Sequence, residues 1–230
     1  MARLTRLCPL GIPQHVVQRG NNRQPCFASD EDMAAYAHWL AEAAIRYGVD
    51  IHAWVFMTNH IHLLATPRND FAVSKMMQFV GRHYVRYFNH TYQRTGTLWE
   101  GRFKSCLVQE DEYLFYCYRY IELNPVRANM VSHPSLYVWS SYRSNGMGVR
   151  SQLRTPHPQY VALGKTDEER AFRYRSLLDA HLDGGIAKEI SKTTQQGLVL
   201  GNDVFKDAVE HLVGRRVRAV KPGPKIKIDK

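Results

Sequence analysis

Apolar and polar positions along the chain divide it into stretches of period two and stretches of helical period. Gln14-His15-Val16-Val17-Gln18 alternates as a first strand, and Arg19-Gly20-Asn21-Asn22-Arg23 reads as a polar loop. Met33, Tyr36, Ala37, Leu40, Ala44 and Tyr47 recur at helical spacing, with Ser29 or Asp30 as the cap and Gly48 as the stop. Ile51 to Phe56 and Met57 to Leu64 read as strand, tight polar turn and strand. A long helix is predicted from about Phe71 to Tyr92, with Val73, Met76, Met77, Val80, Tyr84, Tyr87 and Phe88 on its apolar face. Leu98 to Val108 reads as extended, and the segment from Asp111 as a helix that Pro125 ends, because proline lacks the N–H and restricts Asn124. Strand, helix, strand, strand, helix, strand is the order of a ferredoxin-like α+β sandwich, an antiparallel sheet with helices on one side.

Trp139, Tyr142 and Tyr137 are expected to anchor the end of this first domain, and the best linker runs from Ser144 to Pro158. Thr166-Asp167-Glu168-Glu169 is a capping box opening a helix with Phe172, Tyr174, Leu177, Leu178 and Leu182. A short helix is expected near Ile186 to Thr194. Another runs from about Asp203 to Val213, with Phe205, Val209 and Leu212 inward and Gly214 as its stop. The reading therefore assigns 1–145 to a core domain, 146–213 to a small helical accessory region that binds DNA, and 214–230 to a basic, flexible tail.

The chain is strongly basic. Against 21 acidic residues stand 31 Lys and Arg, a formal net charge of +10, which points to a polyanionic partner without separating DNA, RNA and an anionic membrane surface. No run approaches a transmembrane length and the start lacks a signal-peptide pattern, so a cytoplasmic protein at the nucleoid, with no membrane partner, is expected. Cys8, Cys26, Cys106 and Cys117 form no CxxC pair and no zinc-finger spacing, so they read as reduced thiols.

Candidate chemistry sits in two places. On a strand, His60 and His62 share one face while Ile61 and Leu63 point to the other, and two imidazoles so placed can bind one metal ion. Downstream, Tyr116, Tyr120 and Asn124 are spaced four apart and stack along one helix face. A phenol and a carboxamide one turn apart, brought to a His pair, make a nucleophile-plus-metal site. Core tyrosines and a capping Asn before Pro account for the same residues on sequence grounds alone.

Three motifs narrow this choice. Met57-Thr58-Asn59-His60-Ile61-His62-Leu63-Leu64, Leu98-Trp99-Glu100-Gly101-Arg102-Phe103-Lys104-Ser105 and Tyr120-Ile121-Glu122-Leu123-Asn124-Pro125-Val126-Arg127-Ala128 occur in this order. Together they resemble the REP-associated tyrosine transposases, the single-tyrosine branch of the HUH nucleases, over about Pro9 to Tyr142. That resemblance implies the HUH nuclease core and metal-assisted cleavage and rejoining of single-stranded DNA through a 5′-phosphotyrosine. It assigns His60 and His62 to the metal, Asn124 to the third protein ligand and Tyr120 to the nucleophile. The family often has His where this chain has Glu122, a departure not expected to touch the metal. The implied partners are single-stranded REP-like hairpins, bound by a monomer or a homodimer. The implied cofactor is Mg²⁺ or Mn²⁺, since imidazole suits Mn²⁺ and later metals while Mg²⁺ prefers oxygen.

Expected DNA contacts are Arg19 and Arg23 in the first loop, Arg82 and Arg86 beside the aromatics of the long helix, and Arg102 and Lys104 on one strand face. Arg127 in the third motif and Arg215, Arg216 and Arg218 in the tail complete the set. Two rivals stand beside this reading. One is a catalytically silent hairpin-binding protein or repressor derived from a transposase. The other is a zinc protein using His52, His60, His62 and a cysteine, disfavoured because no cysteine lies at a customary spacing.

Overall fold

In the computed structural model, which describes residues 6–179 and 184–219, strand β1 (Gln14–Arg19) leads to helix α1 (Asp30–Tyr47). The hairpin β2 (Val49–Met57) and β3 (His60–Pro67), the helix α2 (Ala72–Thr91) and the strand β4 (Lys104–Val108) follow. Local chemistry sets these boundaries. Ser29 caps α1 reciprocally: its hydroxyl accepts from the Asp32 N–H at 3.4 Å, and the Asp32 carboxylate accepts from the Ser29 N–H at 3.2 Å. Gly48, left-handed at φ 68°, closes the same helix and sends the chain into β2. The extended segment expected from Leu98 is a strand only from Lys104. Before it the chain turns at Gly101, whose φ of 66° a side chain would resist.

Five strands form one sheet in the order β2–β3–β1–β4–β5, where β5 is the two-residue strand Val199–Leu200. The first four pair antiparallel, whereas β5 runs parallel to β4 with Leu107 opposite Val199. The sheet is thus mixed at its edge. Along β2 the inward positions change parity. Val49 and Ile51 face the same side as Trp54 and Phe56, because the pairing with β3 shifts register between Ile51 and Ala53 and leaves His52 as the extra residue.

Helices cover both faces, a departure from the one-sided sandwich. On one face, Val16, Ile61, Leu63 and Phe56 pack with Tyr36 and Leu40 of α1 and Met76, Val80 and Tyr84 of α2. On the other lies α3 (Asp111–Glu122), continued after Leu123 by the single turn α4 (Asn124–Arg127). Short turns α5 (Tyr142–Asn145) and α6 (Pro158–Val161) and the helices α7 (Asp167–Asp179) and α8 (Gly184–Gln196) complete that layer; α9 (Asp203–Val213) follows β5. The second core joins Ala53, Val55 and Leu64 of the sheet to Leu114, Tyr118 and Ile121 of α3, and to Tyr160, Tyr174 and Ile190.

Consequently the expected boundary after residue 145 is not a break in packing, because α8 lies against β1, β4 and α3 and the next segment extends the sheet. On α7, Tyr174 and Leu178 are buried but Phe172 is exposed; on α9, Val209 is buried and Leu212 exposed. Leu182 lies outside the described residues. The start of the expected flexible tail is also packed: Val217 is buried with Leu107, Val199 and Val209, and its N–H donates to the Glu210 carboxylate at 2.9 Å. Residues 220–230 of that tail lie outside the described residues. No helix among the described residues is long and apolar enough to cross a membrane.

Candidate active site

Strand register brings the histidines together. In β3, His60 and His62 face the α3 layer, and antiparallel pairing places Arg19 opposite His60 and Val17 opposite His62. On the far side of β1, His15 pairs with Cys106 and Val17 with Lys104. One pleated face therefore carries His15, Val17, Arg19, His60, His62, Lys104 and Cys106. Tyr120 on α3 closes over it. Its ring centroid lies 5.6 Å from that of His62 and 5.5 Å from that of His15, edge-on to both.

A cavity of about 180 Å³ opens between these elements, lined by His15, Arg19, His60, His62, Tyr120 and Asn124, with Glu100, Arg102 and Lys104 at its strand side and Ser191, Thr194 and Gln195 of α8. Of the four tyrosines on α3, only Tyr120 lines it. Tyr118 is buried against Tyr174 and Phe115, and the Tyr116 hydroxyl donates to Glu112. Asn124 is anchored, its Nδ2 donating to the Tyr120 carbonyl at 2.9 Å and its Oδ1 accepting from Arg127 at 2.9 Å. The Arg127 guanidinium lies over the Tyr120 ring, 4.1 Å from its centroid, so it holds the phenol as well as carrying charge.

Burial keeps the imidazoles uncharged. His62 is held well below the usual histidine range by desolvation, reinforced by His15, His60, Arg127 and Arg19. Burial and then Arg19 lower His60 to about 4, and burial and then Arg127 lower His15 to about 3. Neutral imidazole is the metal-binding form. Both candidate ligands are also oriented through Nδ1, His60 by Asn59 Oδ1 at 2.6 Å and His62 by His15 Nε2 at 2.8 Å. Asn59 is itself fixed, because its Nδ2 donates to the Arg23 carbonyl and its own carbonyl accepts from the Gly20 N–H. Among the described residues no three His, Cys, Asp or Glu side chains converge as a metal site; two imidazoles, of His60 and His62, and the carboxamide of Asn124 line the cavity. Three such donors could hold a divalent ion and would leave coordination positions for phosphate oxygens and water.

The remaining expected residues divide into groups. Arg102 lines the active cavity and two neighbouring grooves. One, about 940 Å³, is flanked by Arg82, Arg86, Lys75 and Arg46; the other, about 300 Å³, by Lys104, Arg215 and Arg216. Arg23 lies outside all three and contributes its carbonyl to the Asn59 anchor. Arg218 is not a free DNA contact: its guanidinium pairs with Asp207 at 2.7 Å, Glu210 at 3.1 Å and Asp203 at 3.7 Å, all on α9, which neutralises it. His52 stands apart from His60 and His62, its Nδ1 donating to the Thr155 carbonyl and its Nε2 bonded to the Thr66 hydroxyl, both at 2.8 Å. That removes the imidazole on which a zinc cluster would depend. Glu122 faces away from the cavity and accepts from Ser141, Asn145 and Tyr174.

His15, Asn59, Glu100 and Thr194 were not among the expected site residues. The alternation of β1 contains a signal for His15, but its meaning depends on which strand lies beside it.

Residues 11–124 match the family model described as transposase IS200-like. The fold is similar to that of a REP-associated tyrosine transposase bound to a REP hairpin, with a TM-score of 0.52 and 19% identity over 68% of this chain and 93% of that one. A proposed transposase from Deinococcus radiodurans R1 aligns with a TM-score of 0.37 and 18% identity over 56% of this chain and 92% of that one. At these identities the first likeness is one of fold. No curated protein matches this chain.

Proposed function

Through residues 11–124 the chain belongs to the IS200-like transposase family, and on that premise we propose that it cleaves and rejoins single-stranded DNA at hairpins of the REP type. The observation that carries this reading is the meeting of Tyr120 with His60, His62 and Asn124 in one cavity bordered by Arg19, Arg102 and Lys104. The structural relative that holds a REP hairpin supports the choice of DNA.

In this reading His60, His62 and Asn124 hold a divalent cation, Mg²⁺ or Mn²⁺. When bound, such an ion supplies Lewis-acid stabilisation of charge on the scissile phosphate. Arg19, Arg102 and Lys104 neutralise the neighbouring phosphates and fix the strand across the cavity. The Tyr120 hydroxyl gives up its proton and attacks phosphorus. The bond from phosphorus to the 3′-oxygen breaks, the released oxygen takes a proton, and the 5′-phosphate stays esterified to Tyr120. Attack by another 3′-hydroxyl reverses these steps and reseals the strand, so no nucleotide cofactor is consumed. Asn124 and Arg127 keep the phenol seated, one through the backbone of residue 120 and the other across its ring.

The basic grooves joined at Arg102 carry the rest of the DNA, as charge-driven binding that salt weakens. The protein acts in the cytoplasm, at the nucleoid. The test is incubation of a panel of single-stranded palindromic oligonucleotides with Mg²⁺ or Mn²⁺. His60→Ala is expected to abolish cleavage while leaving most DNA binding, which the distributed basic residues supply. Full cleavage by His60→Ala in the presence of chelator contradicts the proposal.

A further inference from the structure

We infer that helix α8, acting through Thr194 and the buried His15, sets the proton position on His62 and thereby turns the Nε2 lone pair of His62 toward the cavity. The inference rests on the reading of His62 as a metal ligand. Thr194, through which the helix acts, stands 132 residues after His62 in sequence, beyond the segment that matches the family model.

Counting protons along the chain of hydrogen bonds fixes each tautomer. Thr194 Oγ1 lies 2.7 Å from the Ile190 carbonyl oxygen, which has no hydrogen to give, so the hydroxyl proton is committed there. Toward every other neighbour Thr194 Oγ1 can then only accept. His15 Nδ1, at 2.7 Å, must therefore carry the hydrogen and donate. An uncharged imidazole has one N–H, so His15 Nε2 is left as an acceptor. His62 Nδ1, at 2.8 Å from it, must donate in turn. The two rings are nearly coplanar, with an interplanar angle of 4°, as an in-plane N–H···N bond demands. His62 is thus the Nδ1–H tautomer and its Nε2 carries the free pair. Cys106 Sγ, 3.1 Å from Thr194 Oγ1, fits the same count, since its S–H supplies the second donor to that oxygen.

His60 reaches the same state by a separate route. Asn59 Nδ2 donates to the Arg23 carbonyl, which fixes the amide orientation; Asn59 Oδ1 then accepts from His60 Nδ1. The first loop orients one histidine and α8 the other. Thr194 and His15 are positioning residues, because each acts on the site through His62. Groups of this kind, which hydrogen-bond a metal-binding histidine, typically change metal affinity by about 10- to 100-fold when removed.

The experiment uses the full chain, free of metal and labelled with ¹⁵N at histidine. Two-bond ¹H–¹⁵N spectra at pH 7.5 report each ring's tautomer, and Mn²⁺ titration followed by electron paramagnetic resonance reports affinity. The wild type is expected to show Nδ1–H forms at His15, His60 and His62. In Thr194→Val, His15 loses the acceptor for its Nδ1–H and is expected to shift to the Nε2–H form. His62 then follows, and the Mn²⁺ Kd rises about tenfold. Thr194→Ser restores both tautomer and affinity. An Nε2–H form of His62 in the wild type overturns the inference, and so does a folded Thr194→Val with unchanged tautomers and affinity. If Thr194→Val does not fold, the wild-type spectrum alone decides. Nδ1–H forms in a wild type that binds no Mn²⁺ uphold the relay while refuting the metal reading.

Discussion

Acidification tests how the buried histidines are held, and His52 offers the cleanest probe because it lies outside the active cavity. Its pKa is lowered from 6.5 to about 4 by burial, with the Thr155 carbonyl partly opposing and His157 adding to the effect. A histidine whose folded pKa is depressed contributes stability that is fully present above its unfolded pKa. That contribution is lost as pH falls from about 6.5 toward 4, because the unfolded chain binds the proton first. Between pH 7 and pH 5, one such group costs about 2 kcal/mol of stability. His15 and His60, at about 3 and about 4, and His62 act in the same direction. These histidines together should therefore cost several kcal/mol over these two pH units, a large part of a typical domain's ~5–15 kcal/mol. Replacing His52 by Gln retains a donor toward Thr155 and an acceptor toward Thr66 but no titrating group. Urea unfolding of the metal-free wild type and His52→Gln at pH 7 and pH 5 should give a pH difference about 2 kcal/mol smaller in the variant. Equal pH differences in the two proteins would show that burial does not depress His52.

Two further outcomes concern the layer that supports the tyrosine helix. Glu122 is raised to about 7 by burial, against which its three hydrogen-bond donors work. Its contribution is present below about pH 4.5 and lost as pH rises through 7, so the stability of Glu122→Gln relative to wild type should improve by about 3 kcal/mol between pH 4.5 and pH 8, measured by chemical denaturation. Ending the chain after residue 145 removes Tyr160, Tyr174, Leu178, Ile190 and Leu200 from the second core. At roughly 1.5–3 kcal/mol each, this is on the order of the whole folding stability. The shortened chain should show no cooperative thermal transition by circular dichroism, and a transition matching the full chain would contradict the packing argument.

Local periodicity made much of the core legible. Period two placed His60 and His62 on one face, and the four-residue spacing of Tyr120 and Asn124 placed the two side by side; in the structure His60 and His62 share a face, and Tyr120, near the end of α3, and Asn124, at the start of α4, line one cavity. What stayed hidden depends on contacts between distant positions. His15 is an ordinary alternating residue until β1 is known to lie between β3 and β4, and Thr194 meets it from 179 positions away. The bulge at His52 reverses the parity of β2, which a strand read by strict alternation does not anticipate. A two-residue strand such as β5 has no periodicity at all, so the continuation of the sheet past residue 145 had no signal. Arg218 looked like a free charge because its acids, Asp203, Asp207 and Glu210, lie one to two turns apart on a helix that folds back beside it.

Attack by Tyr120 on DNA is checked by trapping the covalent adduct on a single-stranded palindromic oligonucleotide and mapping the modified peptide by mass spectrometry. A 5′-phosphodeoxynucleotide is expected on Tyr120, and none in Tyr120→Phe, which should still bind the DNA and the metal. A nucleotide found on Tyr113, Tyr116 or Tyr118, or an adduct that persists in Tyr120→Phe, would contradict it.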